Sequence, residues 1–322
     1  MLTVNGKGVR WTELLFWITD GVKMLDSEFG KPVADFNAEY ATEPALGTNA
    51  EAVLTYAESA VSQYRALDTF AEKLGAELSE QSLAYMEQQR MSDMSAAGTT
   101  SEETFNVLLE GMNMDRELYD YMNRSYFLVN DCFAAAYGAL GEKCTDAEAL
   151  AYAEENDYIR VKHILISTLD EEGNPLPDEA LAEKRDAADA VVKQLQDASD
   201  REAKIDELMP QSDDPGSAIY PAGYVFTHGK MVPSFEQAAY ALAPGEVSGV
   251  VVSDYGFHII LRLPMDINAA VQYVSADEAY SVRYYAANAL FNERLDAEVN
   301  NVQVEYTPEY EALDLQALLN GK

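Results

Sequence analysis

Apolar residues recur at helical spacing through most of the first 155 positions. Trp11, Leu14, Leu15, Ile18, Val22, Leu25 and Phe29 form a stripe of period 3.6, which predicts a helix ended by Lys31-Pro32. Ahead of it, 3–9 reads as a short extended piece turning at Asn5-Gly6. Thr48-Asn49-Ala50-Glu51 has the form of a capping box, and Val53, Leu54, Ala57, Val61, Tyr64, Leu67, Ala71 and Leu74 continue from it as one face, closed at Gly75. Further helices are expected over 79–94, with Leu83, Met86, Met91 and Met94 as the stripe, and over 114–140. A second capping box follows at Thr145-Asp146-Ala147-Glu148.

The period changes at Tyr158. A β-branched and aliphatic run over 158–167 reads as a buried strand, followed by the polar turn 170–175. A helix with Leu181, Ala188, Val191, Val192 and Leu195 on one face comes next, then a short helix over 201–208 and the loop 209–217. A short strand over 223–226, a helix opening at Pro233 and two strands over 247–253 and 257–263 complete the order β-α-α-β-α-β-β, a small α+β domain. Helical character returns after Pro264: a box at Ser275-Ala276-Asp277-Glu278, a stripe of Tyr280, Tyr284, Ala287, Phe291 and Leu295, and a last amphipathic piece over 310–319. An apolar C-terminal helix needs a partner. The expected organisation is therefore a helical segment 1–156, an α+β domain 157–265 inserted in it, and 266–322 packing back on the first segment.

Composition narrows the function. Hydrophobic residues at 48% of 322 suit a globular protein. With 22 Lys+Arg against 56 Asp+Glu, a net charge of −34 argues against nucleic-acid or anionic-membrane partners, which need clustered cations. No apolar run approaches the ~20 residues of a membrane span, and the start, Met1-Leu2-Thr3-Val4, does not read as a signal peptide. The expectation is either a cytoplasmic protein or a sequence that begins after an export or anchor segment. Cys132 and Cys144 are too few for a disulfide scaffold and read best as small buried residues, with a bridge as the alternative. The methionine-rich helical region reads as core or as an adaptable surface for varied clients.

Candidate chemistry centres on two of the three histidines. His163 in Val161-Lys162-His163-Ile164-Leu165-Ile166 and His258 in Tyr255-Gly256-Phe257-His258-Ile259-Ile260 each interrupt an apolar strand, where an imidazole is costly unless hydrogen-bonded. The acidic loop Ser212-Asp213-Asp214 and an apolar slot walled by Met231, Phe235 and Phe226 would complete a ligand site. No close pair such as HxH or HExxH is present, which argues against a metal. Two buried histidines bonded to each other as fold architecture is the plain alternative.

Five separated motifs in this region resemble, in order, those of the parvulin-type peptidyl-prolyl cis/trans isomerases. They are Val161 to Ile166, Ser212-Asp213-Asp214-Pro215-Gly216-Ser217, the run from Phe226 to Glu236, Ala241-Leu242-Ala243-Pro244-Gly245-Glu246-Val247-Ser248, and Tyr255 to Ile260. The flanks, beginning with Val4-Asn5-Gly6-Lys7-Gly8-Val9 and an amphipathic helix, are similar to extracytoplasmic foldases and chaperones of the PrsA and SurA kind. The resemblance implies a prolyl pocket of Met231 and Phe235 with Phe226 beneath and Tyr224 beside it, paired imidazoles His163 and His258, and Asp214 at the family's Cys-or-Asp position. It also implies a hydroxyl role for Ser253, no cofactor and no metal. The sequence departs from the family at Tyr220-Pro221-Ala222-Gly223-Tyr224, where an aliphatic pocket residue is usual, and at Tyr255. The expected function is X-Pro isomerisation and foldase activity on unfolded exported polypeptides, in the cell envelope or secreted, anchored through a segment preceding this sequence. Asp170-Glu171-Glu172 after the first strand predicts no preference for phosphorylated Ser/Thr-Pro. The competing expectation is a holdase whose parvulin domain binds peptides with little turnover. A homodimer through the helical region is conceivable, although no heptad seam marks it.

Overall fold

The computed structural model describes residues 2–275 and 278–320. From the N-terminus come β1 (Leu2–Val4), β2 (Lys7–Gly8), α1 (Trp11–Phe29), α2 (Asn49–Leu74), α3 (Glu80–Ala96), α4 (Glu102–Glu110), α5 (Arg116–Tyr137) and α6 (Asp146–Glu155). The middle of the chain holds β3 (Ile159–Ser167), α7 (Asp178–Asp197), α8 (Arg201–Leu208), β4 (Tyr224–Phe226), α9 (Pro233–Ala241), β5 (Val251–Ser253) and β6 (Gly256–Leu263). It closes with β7 (Ala270–Tyr273), β8 (Ala279–Ser281), α10 (Val282–Asn300), β9 (Val304–Tyr306), α11 (Pro308–Glu311) and α12 (Leu315–Asn320). Contacts divide these into a discontinuous unit, up to Ala136 and from Leu290, and a continuous one, Tyr137–Ala289.

In the first unit the stripes of α1 and α2 meet, burying Leu14, Ile18 and Leu25 against Val53, Ala57 and Val61. Thr48 and Glu51 form the expected reciprocal box at the start of α2, and Gly75 closes it in the left-handed conformation. Asn5 and Gly6 take positive φ, 50° and 73°, and turn β1 into β2. The other edge of β1 pairs antiparallel with β9, Leu2 opposite Tyr306 and Val4 opposite Val304. Tyr310 and Leu315 enter the same core, so both ends of the chain are built into one unit. Arg65 and Glu13 form a buried ion pair at 2.7 Å, and Arg65 also donates to the Tyr121 hydroxyl. The stripe expected on α3 is not packed: Met94 is buried, but Leu83 and Met91 are 52% and 61% exposed. The apolar residues of α3 are spread around the helix, so one side cannot bury them together.

In the second unit a four-stranded antiparallel sheet has the order β4-β3-β6-β5. One face carries Ile164, Ile166, Ile259, Leu261 and Leu263 and is covered by Ala188, Val191 and Leu195 of α7 with Ile205 and Leu208 of α8. The opposite face carries Val161 and Ile260 and meets Phe235 and Ala239 of α9. That second face also holds both histidines, because side chains alternate along a strand. The strand expected over 247–253 is regular only over Val251–Ser253. Val247 instead makes an isolated bridge to Leu261, and the Ser248 amide donates to the Ile260 carbonyl. A further hairpin, β7 with β8, occupies the stretch read as helical after Pro264. α10 starts only at Val282, and Ala276 and Asp277 of the capping box expected there lie outside the described residues. Ala153 of α6 shares a cluster with Val225, Ala269 and Val282, so contacts draw both flanks of the α+β region into the second unit. Among the described residues no helix is long and apolar enough to cross a membrane. Cys132 and Cys144 are buried free thiols.

Candidate active site

The paired imidazoles come from the central strands. His163 on β3 stands opposite Ile260, and His258 on β6 stands opposite Leu165. The two are therefore diagonal neighbours on one face, within reach of each other. Their Nδ1 atoms are 3.4 Å apart, with both rings buried. Gly256 lets β6 turn beside β3: its φ is +141°, and a Cβ there would lie 2.3 Å from the Ile166 carbonyl oxygen.

Beyond Val161, where its pairing with β4 stops, the edge of β3 is taken by the acidic loop. The Asp213 amide donates to the Leu165 carbonyl at 2.8 Å, and the Ser167 amide donates to Asp213 Oδ2 at 2.8 Å. Ser212 Oγ accepts from the amides of Leu165 and Asp214. These bonds satisfy strand groups that would otherwise be orphaned, and they aim Asp214 at the histidines. His163 Nε2 lies 3.2 Å from Asp214 Oδ2, and the Tyr224 hydroxyl donates to the same oxygen at 2.6 Å. Gly223 carries the backbone past β3 to deliver Tyr224, with φ +96° and no room for a Cβ beside the Val161 carbonyl. On the far side, Ser253 Oγ is 2.7 Å from His258 Nε2 and accepts from the Tyr255 amide.

Donor and acceptor chemistry gives this chain a direction. Burial works to raise the Asp214 pKa, but hydrogen bonds from His163 and Tyr224 outweigh it and hold the carboxyl at about 2. Asp214 is thus an acceptor, and His163 Nε2 carries the proton that faces it. Burial, then the neighbouring His163, push the His258 pKa down to about 4, against an opposing pull from Asp214. At neutral pH His258 is uncharged, and with His163 neutral as well its Nδ1–H donates to the bare His163 Nδ1. His258 Nε2 is then bare and accepts from the Ser253 hydroxyl. Burial and the Asp214 bond raise the Tyr224 phenol well above its ordinary value, so it too stays protonated. Every lone pair of the imidazoles is engaged inside the chain. Among the described residues no group of three or more His, Cys, Asp or Glu side chains is arranged to hold a metal ion.

The relay forms one wall of a pocket of about 230 Å³, lined also by Met231, Val232, Phe235, Tyr255 and Lys230. Phe235 meets both imidazoles edge-on, with ring centres 5.0 and 5.3 Å away. Glu236 Oε2 accepts from the amides of Gly229, Lys230 and Met231, which fixes the turn presenting Met231 and Lys230. The arrangement pairs an apolar floor with fixed hydrogen-bonding groups, and Ser253, whose hydroxyl is bonded to His258, is not among the described residues lining the pocket.

His163, Asp214, His258 and Ser253 are brought into one continuous hydrogen-bonded line, while Met231, Phe235 and Tyr224 line the pocket beside it. Phe226 stands behind Phe235, 6.3 Å between ring centres, and lines a neighbouring cleft instead. Lys230, Val232 and Tyr255 were not foreseen as lining residues. The signal available for the first two was Glu236, placed a few residues after Gly229 where its carboxylate can reach back to the turn.

Residues 163–263 match the rotamase family described as the PPIC-type PPIase domain. The foldase protein PrsA of Geobacillus kaustophilus is 32% identical over 142 residues, covering 41% of this chain and 49% of that one. The chaperone SurA of Nitrosospira multiformis is 33% identical over 155 residues, covering 47% of this chain and 32% of that one. The chain thus spans half or less of the length of these curated relatives. Among solved structures, PrsA from Bacillus subtilis is 18% identical, covering 83% of this chain and 91% of that one, with a TM-score of 0.28. Residues 163–263 are a rotamase domain of the PPIC, or parvulin, type, set in a chain that is similar to the PrsA foldases and SurA chaperones.

Proposed function

We propose that the protein catalyses cis/trans isomerisation of X-Pro bonds in unfolded or partly folded exported polypeptides, outside the cytoplasm, and acts there as a foldase. The observation that carries this reading is the apolar pocket of Met231, Val232 and Phe235 set directly against the Ser253–His258–His163–Asp214 line. Rotation about an X-Pro bond faces a barrier of roughly 18–20 kcal/mol because the amide is resonance-stabilised. Seating the proline ring on Met231 and Phe235 strips water from the adjoining amide. The fixed dipoles of the hydrogen-bonded line beside it then favour the twisted, less conjugated geometry over either planar one. The proposal needs no covalent intermediate and no cofactor. Asp170, Glu171 and Glu172 would repel a phosphate, so unphosphorylated substrates are the expected class.

Exchange spectroscopy on Ala-Pro peptides tests it: acceleration by the wild type, reduced in His258→Ala and Asp214→Ala, is expected. Binding without acceleration would favour the second reading, a holdase. Two observations support that alternative, the Tyr220-to-Tyr224 stretch at the pocket and the exposed Leu83, Tyr85, Met91, Met112 and Tyr126 of the first unit. Those side chains suit apolar client segments or a second copy of the chain. Aggregation suppression on a proline-free client, with light scattering of the protein alone, separates the two occupants.

A further inference from the structure

The prolyl pocket does not end at Met231. Tyr224, Lys230 and Met231 also line a second, larger cleft of about 480 Å³, walled by Tyr158, Tyr220, Val225, Val271 and Tyr285. Val271 and Tyr285 lie beyond residue 263, so part of this cleft is supplied from outside the rotamase match. A chain whose proline fills the smaller pocket passes Lys230 as it enters the larger one.

The charges around that junction differ from those of the rest of the molecule. The protein carries 56 acidic residues against 22 basic ones, yet no Asp or Glu is among the described residues lining the cleft. The prolyl pocket has Asp214, whose carboxylate already accepts from His163 and Tyr224. Elsewhere in this unit Arg160, Lys162, Lys184, Arg185, Lys193, Lys204 and Arg283 are ion-paired, and Arg201 and Arg262 donate to backbone carbonyls. The Lys230 ammonium has no carboxylate partner among the described residues, while its backbone is held in place by Glu236. A fixed turn therefore presents one uncompensated cation at the mouth of two connected apolar cavities.

We infer that the cleft selects clients with an Asp or Glu close to the proline, its carboxylate paired with Lys230 Nζ. This deepens the isomerase reading and rests on it for its rate measurements. One lysine matches a monoanionic carboxylate; a phosphate dianion is held best by a cluster of cations.

The test uses the full chain and Ala-rich peptides with one proline, in which each of the two residues before and after it is replaced in turn by Glu or by Gln. At one position the Glu peptide should exceed its Gln twin in kcat/KM by up to about fivefold, the upper end for an exposed ion pair. The ratio should fall to about one in Lys230→Met and invert in Lys230→Glu, by the same ion-pair logic. Equal rates for Glu and Gln at every position, or a Glu advantage that survives Lys230→Glu, overturns the inference. Should no peptide be accelerated, the isomerase reading fails by itself, and titration of the same peptides by chemical-shift change decides this one. Tighter binding of a Glu peptide, lost in Lys230→Met, then supports it, and equal binding overturns it.

Discussion

His163 and His258 are not cross-strand partners; each faces an aliphatic residue of the other's strand, and the imidazoles meet along the diagonal, Nδ1 to Nδ1, at 3.4 Å. Because one nitrogen of His163 is committed to Asp214, a line in which both imidazoles are neutral can carry its protons in only one order. Nitrogen-15 NMR at pH 7 should find the proton of His258 on Nδ1 and that of His163 on Nε2. A His258 protonated on Nε2 would reverse the line, with His163 donating from both nitrogens, and refute the assignment.

Acid should weaken the second unit in two steps. His258 has a folded pKa of about 4 against an ordinary value of 6.5, so between these values the unfolded chain takes up a proton that the folded one refuses. Stability is then lost as pH falls from 6.5 towards 4, by at most about 3 kcal/mol. Asp214, held at about 2 against 3.8, contributes stability present above pH 3.8 and lost as pH falls towards 2. Urea unfolding at a series of pH values should show the first loss flattened in His258→Gln and the second in Asp214→Asn.

Tyr224→Phe removes the 2.6 Å bond to Asp214 without emptying the wall. A buried hydrogen bond to a charged group is worth about 1.5–3 kcal/mol. The Asp214 carboxyl should titrate closer to 3.8 than to 2 in the variant, read by carbon-13 NMR. An unmoved titration would mean that the phenol does not hold the carboxylate.

Met231→Ala and Phe235→Ala separate fold from pocket. Phe235 is 4% exposed, and its truncation should cost about 3–5 kcal/mol. Met231 is only partly buried, so Met231→Ala should keep the thermal transition close to wild type while lowering prolyl exchange by at least about tenfold, which is 1.4 kcal/mol of barrier. Unchanged exchange in both variants would remove these residues from the site.

In the first unit, Arg65→Met leaves Glu13 buried without its cation. Breaking one side of such a pair costs about 3–5 kcal/mol. The loss should appear in Trp fluorescence, since Trp11 and Trp17 both lie on α1. The Glu13→Gln/Arg65→Met double variant should recover part of it, because the stranded charge is gone.

Much of the site was legible because polar residues interrupt apolar strands: His163 and His258 stand out in runs of Ile, Leu and Val. Their diagonal offset was not legible, since it depends on where the β5–β6 turn places Gly256. Nor was the Tyr224 bond to Asp214, which joins residues ten positions apart across a loop. The helices over 11–29 and 49–74 announced themselves by their stripes, and the helix expected over 79–94 is present as α3, but of the stripe expected on it only Met94 is buried. Strands of three or four residues such as β7, β8 and β9 are too short to display a period, and their partners lie far away or in an adjoining hairpin.

The pairing of β1 with β9 bears on the order in which the molecule is made. Strand Leu2–Val4 emerges long before its partner Val304–Tyr306 and the core residues Tyr310 and Leu315. The second unit is one uninterrupted stretch, complete once Ala289 has been added. Domains fold as their chain becomes available. The rotamase-bearing unit therefore has everything it needs while the helical unit still waits for its closing strand, so β1 emerges before the second unit and finds its partner only after it.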